Sequence, residues 1–223
     1  MRRVISLVPS VTETLLAWGI EPVACTRFCE QPELRHVGGT KDPDVESVIG
    51  LRPDLVVMND EENRVEDHGA LTAAGLEVHV VRISGVDDVA PELAALAARL
   101  DVDVPATVLP PPQAPSVRAF VPIWKRPWMT MGGDTYGSSL LARLGVTNVF
   151  ADGDRYPEVT LEEAAARAPD VVLAPSEPYP FGERHRPQLE AVAPVRFVDG
   201  QDLFWWGART PAAVARLGEA LLE

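Results

Sequence analysis

The chain alternates short unbroken apolar runs with stretches whose apolar residues recur at helical spacing. Residues 4–8 (VISLV) form such a run, and residues 12–19 follow with leucines at helical spacing and Gly19 at the end. Unbroken runs of this length are typical of strands buried on both faces, whereas spacings of three and four residues favour a helix. The beginning of the chain therefore predicts a strand, a loop at Pro9 and Ser10, and a helix.

The same order continues through the first half. The pattern predicts a helix over 44–51, a strand over 55–58 (LVVM), a second helix after the polar loop 59–64, and a strand over 77–83. Strands that alternate with helices are the pattern of parallel sheets in α/β proteins. We therefore predict an α/β fold.

A related pattern recurs in the second half. Pro53-Asp54 precedes LVVM, and Pro169-Asp170 precedes VVLA at 171–174. Glu61 lies seven positions after Asp54, and Glu177 lies seven positions after Asp170. This internal similarity predicts two Rossmann-like lobes, each with a parallel sheet.

Between the halves, alanines and leucines at helical spacing predict a linker helix over 86–100. Five prolines then fall within residues 105–115, which is too many for a helix and typical of a stiff extended spacer. We place an N-terminal lobe at 1–85, the linker helix and spacer at 86–115, and a C-terminal lobe at 116–223.

Composition narrows the classes of partner. The 223 residues carry a net charge of −13, and nucleic-acid binding depends on clustered cations, so we expect no nucleic-acid partner. No apolar run reaches the length of a transmembrane helix, so we expect no membrane insertion.

The start of the chain is interpreted as the first strand rather than as a cleavable signal. This interpretation predicts a cytoplasmic protein as the sequence stands, or a periplasmic or cell-surface protein if the start is truncated.

Aromatic residues are concentrated in the loops that follow the predicted strands. In open α/β sheets ligands bind outside the carboxyl ends of the strands, and rings beside proline and glycine in such loops often line a ligand surface. We predict that aromatic residues of these loops contact a ligand, together with three residues of the first loop and one arginine. The full set is Pro9, Ser10, Thr12, Phe28, Trp124, Trp128, Tyr136, Tyr179, Phe181, Trp205, Trp206 and Arg209.

Other polar candidates carry weaker signals. Cys25 and Cys29 are too few for a disulfide framework or a four-cysteine zinc site, and we expect packing thiols in a loop. His185 lies between two arginines, where it could contact an anionic ligand or coordinate a metal axially. Gly132 and Gly133 lack the lysine of a phosphate-binding loop, so we expect them to permit close approach of a bulky ligand.

Several segments together resemble a known family. They are RVISLVPSVTETLLAWG at 3–19, TRFCEQP at 26–32, GGTKDPDVESVIGLRPDLVVMNDEENRVED at 38–67, SEPYPF at 176–181 and FWWGAR at 204–209. In this order they are similar to the cobalamin-type substrate-binding proteins of ABC importers, within the helical-backbone metal receptor superfamily.

The resemblance implies a noncatalytic protein that holds a corrinoid or related metal chelate in a cleft between two lobes and delivers it to an ABC permease. Cobalamin, haem and ferric siderophores are the expected ligands, with no cofactor or metal site of the protein's own, and the protein is expected to be a monomer. The resemblance also implies that an acidic residue of each lobe docks on arginines of the permease. The matching positions are Glu61, Glu62, Glu177 and Glu183.

Two other functions stay open at this point. The same cleft could belong to a cytosolic tetrapyrrole or chelate sensor. It could also belong to a chelatase-like enzyme or a hydrolase that uses Glu61, Glu177 and His185 as acid/base groups. Against an enzyme, the sequence contains no nucleophile elbow and no metal-binding triad.

Overall fold

The computed structural model describes residues 2–222, and these fall into two compact units. The first unit comprises the described residues up to Ile83 together with 88–107 and 207–209; the second comprises 84–87, 108–206 and 210 to the described end. Residues 1 and 223, the outer limits of the predicted lobes, lie outside the described part.

The first unit contains a four-stranded parallel sheet. The strand order is β2-β1-β3-β4, so β1 pairs with both β2 and β3. All five residues of β3 are buried, as the unbroken apolar run predicts for a strand covered on both faces. The strands are β1 (Val4–Ser6), β2 (Ala24–Cys25), β3 (Leu55–Asn59) and β4 (Val78–Val81). The helices are α1 (Pro9–Ala17), α2 (Val45–Gly50), α3 (Val65–Ala73) and α4 (Val89–Leu100).

The second unit repeats this architecture. Its parallel sheet has the order β10-β9-β5-β8, and a separate antiparallel hairpin pairs β6 with β7. All five residues of β9 are buried. The strands are β5 (Val117–Phe120), β6 (Pro122–Trp124), β7 (Met129–Thr130), β8 (Val146–Asn148), β9 (Val171–Pro175) and β10 (Val195–Val198). The helices are α5 (Tyr136–Arg143), α6 (Leu161–Ala166), α7 (Arg186–Leu189), α8 (Gly200–Phe204) and α9 (Thr210–Leu222).

The internal repeat is visible in individual hydrogen bonds. In the first unit the carboxylate of Asp54 accepts the backbone N–H of Arg3 at 2.7 Å. In the second unit the carboxylate of Asp170 accepts the backbone N–H of Arg118 at 2.8 Å. In each sheet, the aspartate of the Pro-Asp dipeptide thus links the start of one central strand to the start of the neighbouring strand. The predicted α/β class with two parallel-sheet lobes is confirmed.

Three local features differ from the sequence pattern. Pro9 and Ser10 form the first turn of α1 instead of a loop, since proline at the first helical position lacks only an N–H that would have no helical partner. The segment after β5 contains the β6–β7 hairpin, which the pattern of apolar and polar residues did not predict. Helix α4, expected as a linker, clusters with the first unit, while residues 102–116 contain no helix or strand.

Candidate ligand-binding site

The loop after β3 is fixed by two buried asparagines. The side-chain oxygen of Asn59 accepts the backbone N–H groups of Glu61 and Glu62, both at 3.0 Å, and its amide donates to the carbonyl of Val81 at 3.0 Å. The Asn63 side chain accepts the N–H of Asn59 at 2.8 Å and donates to the carbonyl of Leu7 at 3.1 Å. The ends of β1, β3 and β4 are thereby joined, and the backbone beneath the two glutamates is held in one conformation.

The loop after β2 presents an exposed ring. Phe28 is 50% exposed, and the guanidinium of Arg27 lies 4.7 Å from the ring centroid. Both carboxylate oxygens of Asp42 accept from the same Arg27 nitrogen, at 2.9 and 3.0 Å. A Cβ at Gly39 would lie 2.4 Å from an Asp42 oxygen and 2.7 Å from that nitrogen, so the absence of a side chain there allows the ion pair to support Phe28.

In the second unit, four rings form a connected group at the carboxyl end of the sheet, which we call the aromatic cluster: Trp124, Trp128, Tyr179 and Phe181. Trp128 is stacked parallel to Phe181 with centroids 6.0 Å apart, and Tyr179 lies 4.8 Å from Phe181. Trp124 meets Tyr179 edge-on at 5.6 Å. Exposure rises from 7% at Phe181 to 44% at Trp124, so the cluster has a buried base and one indole open to solvent.

His185 lies beneath the aromatic cluster and is buried. The backbone N–H of Gly182 donates to Nδ1 at 3.2 Å. Nε2 lies 3.3 Å from the Nε of Arg184 and 3.4 Å from the Tyr179 hydroxyl. Burial, followed by the charges of Lys125 and Arg184, lowers the pKa of His185. The buried ring packs against Tyr179, and contact of His185 with an anionic ligand or a metal stays a prediction.

The structure buries several of the residues predicted to contact a ligand. Tyr136 lies at the start of α5 with its hydroxyl 3.1 Å from that of Thr210. The Thr12 hydroxyl lies 3.1 Å from the sulfur of Cys29. These side chains pack inside their units, and a ligand-contacting role for them stays a prediction. The predicted contact residues that are buried are Pro9, Ser10, Thr12, Tyr136, Phe181 and Trp206.

The remaining predicted contacts retain solvent access. Phe28 and Trp124 are exposed, and Trp128, Tyr179 and Trp205 are partly exposed. Phe28 and Trp124 lie on different units, each at the carboxyl end of its sheet. A ligand-contacting role for these five rings stays a prediction.

Arg209 is largely buried and belongs to the first unit. Its Nε lies 3.6 Å from a carboxylate oxygen of Glu13 in α1, and its side chain is 12% exposed. In the same segment, the backbone N–H of Ala208 donates to the Thr14 hydroxyl at 3.1 Å. The segment therefore packs against α1 and brings Arg209 to an ion pair with Glu13, while a ligand contact for Arg209 stays a prediction.

The four acidic residues predicted to dock on a permease differ in surroundings. Glu61 and Glu62 are half-buried on the Asn59 turn, and Glu177 is half-buried after β9. Glu177 is tightly placed, since a Cβ at Gly200 would lie 2.5 Å from its backbone nitrogen. Glu183 is exposed and accepts hydrogen bonds from the Nε and Nη2 of Arg186, at 2.6 and 2.8 Å, and this hydrogen bonding lowers the pKa of Glu183.

The glycine pair at 132–133 serves the packing of the second unit. A Cβ at Gly132 would lie 1.9 Å from the carbonyl oxygen of Asp154, and one at Gly133 would lie 2.2 Å from that of Ala151. The close approach expected for a bulky ligand is made instead by the backbone of the loop after β8.

Sequence reasoning missed the residues that position this surface. Asn59, Asn63, Asp42 and Gly39 are separated along the chain, and their roles depend on backbone groups that no local pattern reveals. A signal was available for Asn59 alone: an asparagine at the end of an unbroken apolar run often caps the following turn.

Within residues 2–222, no three histidine, cysteine or acidic side chains are grouped so that they could hold a metal ion. Nor does the same part include a helix long and apolar enough to cross a bilayer.

Comparison with known proteins identifies related families. Residues 4–104 match the family model described as periplasmic binding protein. The vitamin B12-binding protein of Salmonella choleraesuis is 28% identical over 189 residues, which covers 77% of this chain and 71% of that protein.

Solved structures share the fold over nearly the whole chain. The periplasmic vitamin B12 binding protein BtuF of Vibrio cholerae has a TM-score of 0.81 at 20% identity and covers 99% of this chain and 96% of that one. The periplasmic haem-binding protein BhuT, solved with two haems, has a TM-score of 0.79 at 24% identity and covers 99% of both chains. The resemblance to cobalamin-type substrate-binding proteins is thereby confirmed.

Proposed function

We propose that this chain, which resembles the cobalamin-type substrate-binding proteins, is a noncatalytic receptor for a corrinoid or related metal chelate that it delivers to an ABC permease. The observation that carries the proposal is the graded aromatic cluster, in which Trp124 is open to solvent above partly buried Trp128 and Tyr179. Large planar ligands bind mainly through apolar and stacking contacts. A ring surface on a rigid base suits such a ligand.

Phe28 supplies a second stacking surface on the first unit. Its ring is supported by Arg27, which Asp42 holds in place, so little side-chain entropy is lost when a ligand covers the ring. Arg27 also adds a cation beside an exposed apolar face. This combination suits a chelate with an apolar plane and anionic or amide groups at its rim.

The names of the relatives support the ligand class. One sequence relative is a vitamin B12-binding protein, and one of the structural relatives was solved with haem. Both ligands are metal tetrapyrroles with large flat faces. We place a corrinoid first, because the curated sequence relative is named for vitamin B12, and haem second.

Docking on a permease would use Glu61 or Glu62 on the first unit and Glu177 on the second. The carboxylate of Glu183 is already paired with Arg186 in both of its hydrogen bonds, and exchanging that partner for a permease arginine would gain little. The Asn59 hydrogen bonds hold the backbone of the 61–62 turn before a partner arrives. Since single exposed ion pairs contribute only about 0–1 kcal/mol, preorganisation of several contacts is required.

A visible-absorbance titration tests the ligand. The folded protein is titrated against cyanocobalamin, cobinamide, haem and a ferric siderophore in separate arms, with serum albumin as a control for nonspecific haem adsorption. We expect saturable one-to-one binding of a corrinoid. Saturable binding of haem alone would change the assigned ligand to haem. If none of the four compounds binds saturably at tens of micromolar, the receptor proposal is wrong.

Co-purification with the ABC permease of the same organism tests the delivery step. We expect the association to weaken in Glu61→Gln/Glu177→Gln protein and at raised salt, and to persist in Glu183→Gln protein. Equal loss in both variants would contradict the docking assignment while leaving the ligand result intact.

A further inference from the structure

Three positively charged side chains border the aromatic cluster of the second unit. Lys125 and Arg126 lie in the loop that joins β6 to β7. The Nζ of Lys125 lies 5.4 Å from the centroid of the Trp128 ring. Arg184 is exposed, and its Nε lies 3.3 Å from the Nε2 of His185, the buried ring beneath the cluster. The positive charges therefore reach the cluster from two separate segments of the chain.

None of these three side chains pairs with a carboxylate in the described part of the chain. Lys125 donates to the side-chain oxygen of Gln188 at 2.6 Å, and the nearby Glu183 is bound by Arg186 instead. Every other basic side chain of the second unit is held by a carboxylate or a main-chain carbonyl. These are Arg118, Arg143, Arg155, Arg167, Arg186, Arg196 and Arg216. In a chain with a net charge of −13, uncompensated positive charge is thus concentrated beside the aromatic rings.

The loop holds Arg126 in a conformation that usually belongs to glycine. Its φ angle is 75°, in the left-handed region where a side chain strains the backbone. Backbone strain of this kind occurs most often where a residue has a function in binding or catalysis. The Arg126 side chain is exposed, so its guanidinium is open to a ligand that covers the neighbouring rings.

An anionic partner would offset the repulsion between these charges. Burial is the main cause that lowers the pKa of His185, and the charges of Lys125 and Arg184 come next, so both cations act on the ring at the base of the cluster. A neutral amide would leave their charge uncompensated. A carboxylate would accept charge-assisted hydrogen bonds, which are shorter and stronger than bonds between neutral groups.

We propose that Lys125, Arg126 and Arg184 form an anion-binding rim around the aromatic cluster, which selects chelates that carry carboxylates at the edge of their plane over chelates with amides or esters there. The inference rests on the proposed function and names the chemistry of the ligand's edge. Stacking on the rings is common to all flat chelates and does not distinguish an acid from its amide. Charge at the rim supplies that specificity.

Matched pairs of chelates test the rim while the flat face stays the same. The first pair is cyanocobalamin and its monocarboxylate, in which one propionamide is hydrolysed to the acid. The second pair is haem and haem dimethyl ester. Each compound is titrated by visible absorbance against the unmodified protein. At low salt we expect the acid to bind about tenfold more tightly than its partner, because exposed ion pairs add to the stacking contacts. In about 0.5 M salt the difference should shrink to about twofold, since salt screens exposed charges.

The outcomes separate this inference from the proposed function. Equal affinity within a pair that binds, or tighter binding of the amide or ester, would overturn the anion-binding rim and leave the receptor proposal intact. If no compound of either pair binds, the receptor proposal and the rim are both wrong. If one pair alone binds, the comparison within that pair decides.

Charge variants assign the preference to the three side chains. In Arg126→Gln protein the preference for the acid should fall about twofold or more, and in the triple variant with Lys125→Gln and Arg184→Gln it should disappear. Affinity for the amide or ester should stay within about twofold of the unmodified protein. Arg52→Gln is the control, because Arg52 is exposed at the amino end of β3 in the first unit and its removal changes the net charge by the same amount as Arg126→Gln.

The control protein should keep the full preference for the acid. A similar loss in Arg52→Gln and Arg126→Gln proteins would assign the preference to net charge and overturn the rim. An undiminished preference in the triple variant would do the same. Circular dichroism checks that each variant is folded, and the paired titrations of the unmodified protein decide the question if the triple variant is not.

Discussion

Arg52 and Ala168 adopt the same left-handed backbone conformation, with φ angles of 48° and 49°. Each lies just beyond the C-terminal cap of a helix, and the N–H of each donates back into that helix, to Ile49 at 3.0 Å and to Ala165 at 2.9 Å. The position usually holds glycine, because a side chain there is strained. In both units this turn directs the chain through a Pro-Asp dipeptide into a buried strand.

Glycine at these turns should stabilise the protein. Ala168→Gly relieves a left-handed strain of roughly 1–2 kcal/mol, and part of the gain is offset by the greater freedom of glycine in the unfolded chain. We expect a net gain of about 0.5–1 kcal/mol in the free energy of unfolding, or a melting temperature higher by about 1–4 °C. Thermal unfolding measures it. Ala165→Gly, within α6, is the control and should destabilise by about 1 kcal/mol; destabilisation by both would contradict the strain argument.

Removal of the Asn59 side chain should loosen the turn that carries Glu61 and Glu62. The buried amide satisfies three backbone groups, and an unsatisfied buried group costs about 1–3 kcal/mol. We expect Asn59→Ala to lower the free energy of unfolding by about 3 kcal/mol in urea and to speed amide exchange at both glutamates. Asp60→Ala removes only an exposed contact with Arg82 at 3.8 Å and should cost less than about 1 kcal/mol. Similar losses in the two variants would refute a special role for Asn59.

The free energy of unfolding should fall as the pH falls, because two histidines have lower pKa values in the folded protein than in the unfolded chain. Burial lowers the pKa of His185 and also that of His79. A group with a lowered folded pKa takes up a proton more readily when unfolded, so its contribution is present above the unfolded value of about 6.5 and is lost below it. In urea unfolding between about pH 7.5 and 5, the difference in the free energy of unfolding between the unmodified protein and His185→Gln protein should become smaller as the pH falls. A constant gap would mean that His185 does not titrate on unfolding.

Truncation of the exposed indole should weaken chelate binding. Trp124→Ala removes the solvent-facing ring of the aromatic cluster, and aromatic stacking contributes about 0.5–1.5 kcal/mol, so we expect affinity for the bound chelate to fall roughly two- to tenfold. Trp18, near the end of α1 and away from the carboxyl end of its sheet, provides the control: Trp18→Phe should leave affinity unchanged. The visible-absorbance titration measures both. Unchanged affinity in Trp124→Ala protein would remove Trp124 from the ligand surface.

The alternation of buried strands and amphipathic helices could be predicted from the sequence because the central strands β3 and β9 are covered on both faces. The runs at 55–58 and 171–174 have no polar residue to disturb the pattern, and both are strands in the structure. The β6–β7 hairpin was not predicted, since its two short strands are stabilised by pairing with each other and carry no periodic signal. Helix α1 begins earlier than expected because Pro9 is compatible with a first turn.

The sequence by itself determined the α/β class, the internal repeat and the concentration of aromatic residues in loops, because these depend on composition and on short-range periodicity. Tertiary structure decided which rings meet solvent. Trp124 and Trp206 occur in similar aromatic, loop-rich segments, yet one is 44% exposed and the other 4%. Exposure of a side chain depends on which distant segments pack over it, and local sequence does not encode that neighbour. The contact of Cys29 with Thr12 was likewise decided by the fold, since it joins the loop after β2 to α1, whose Thr12 lies 17 positions earlier in the chain.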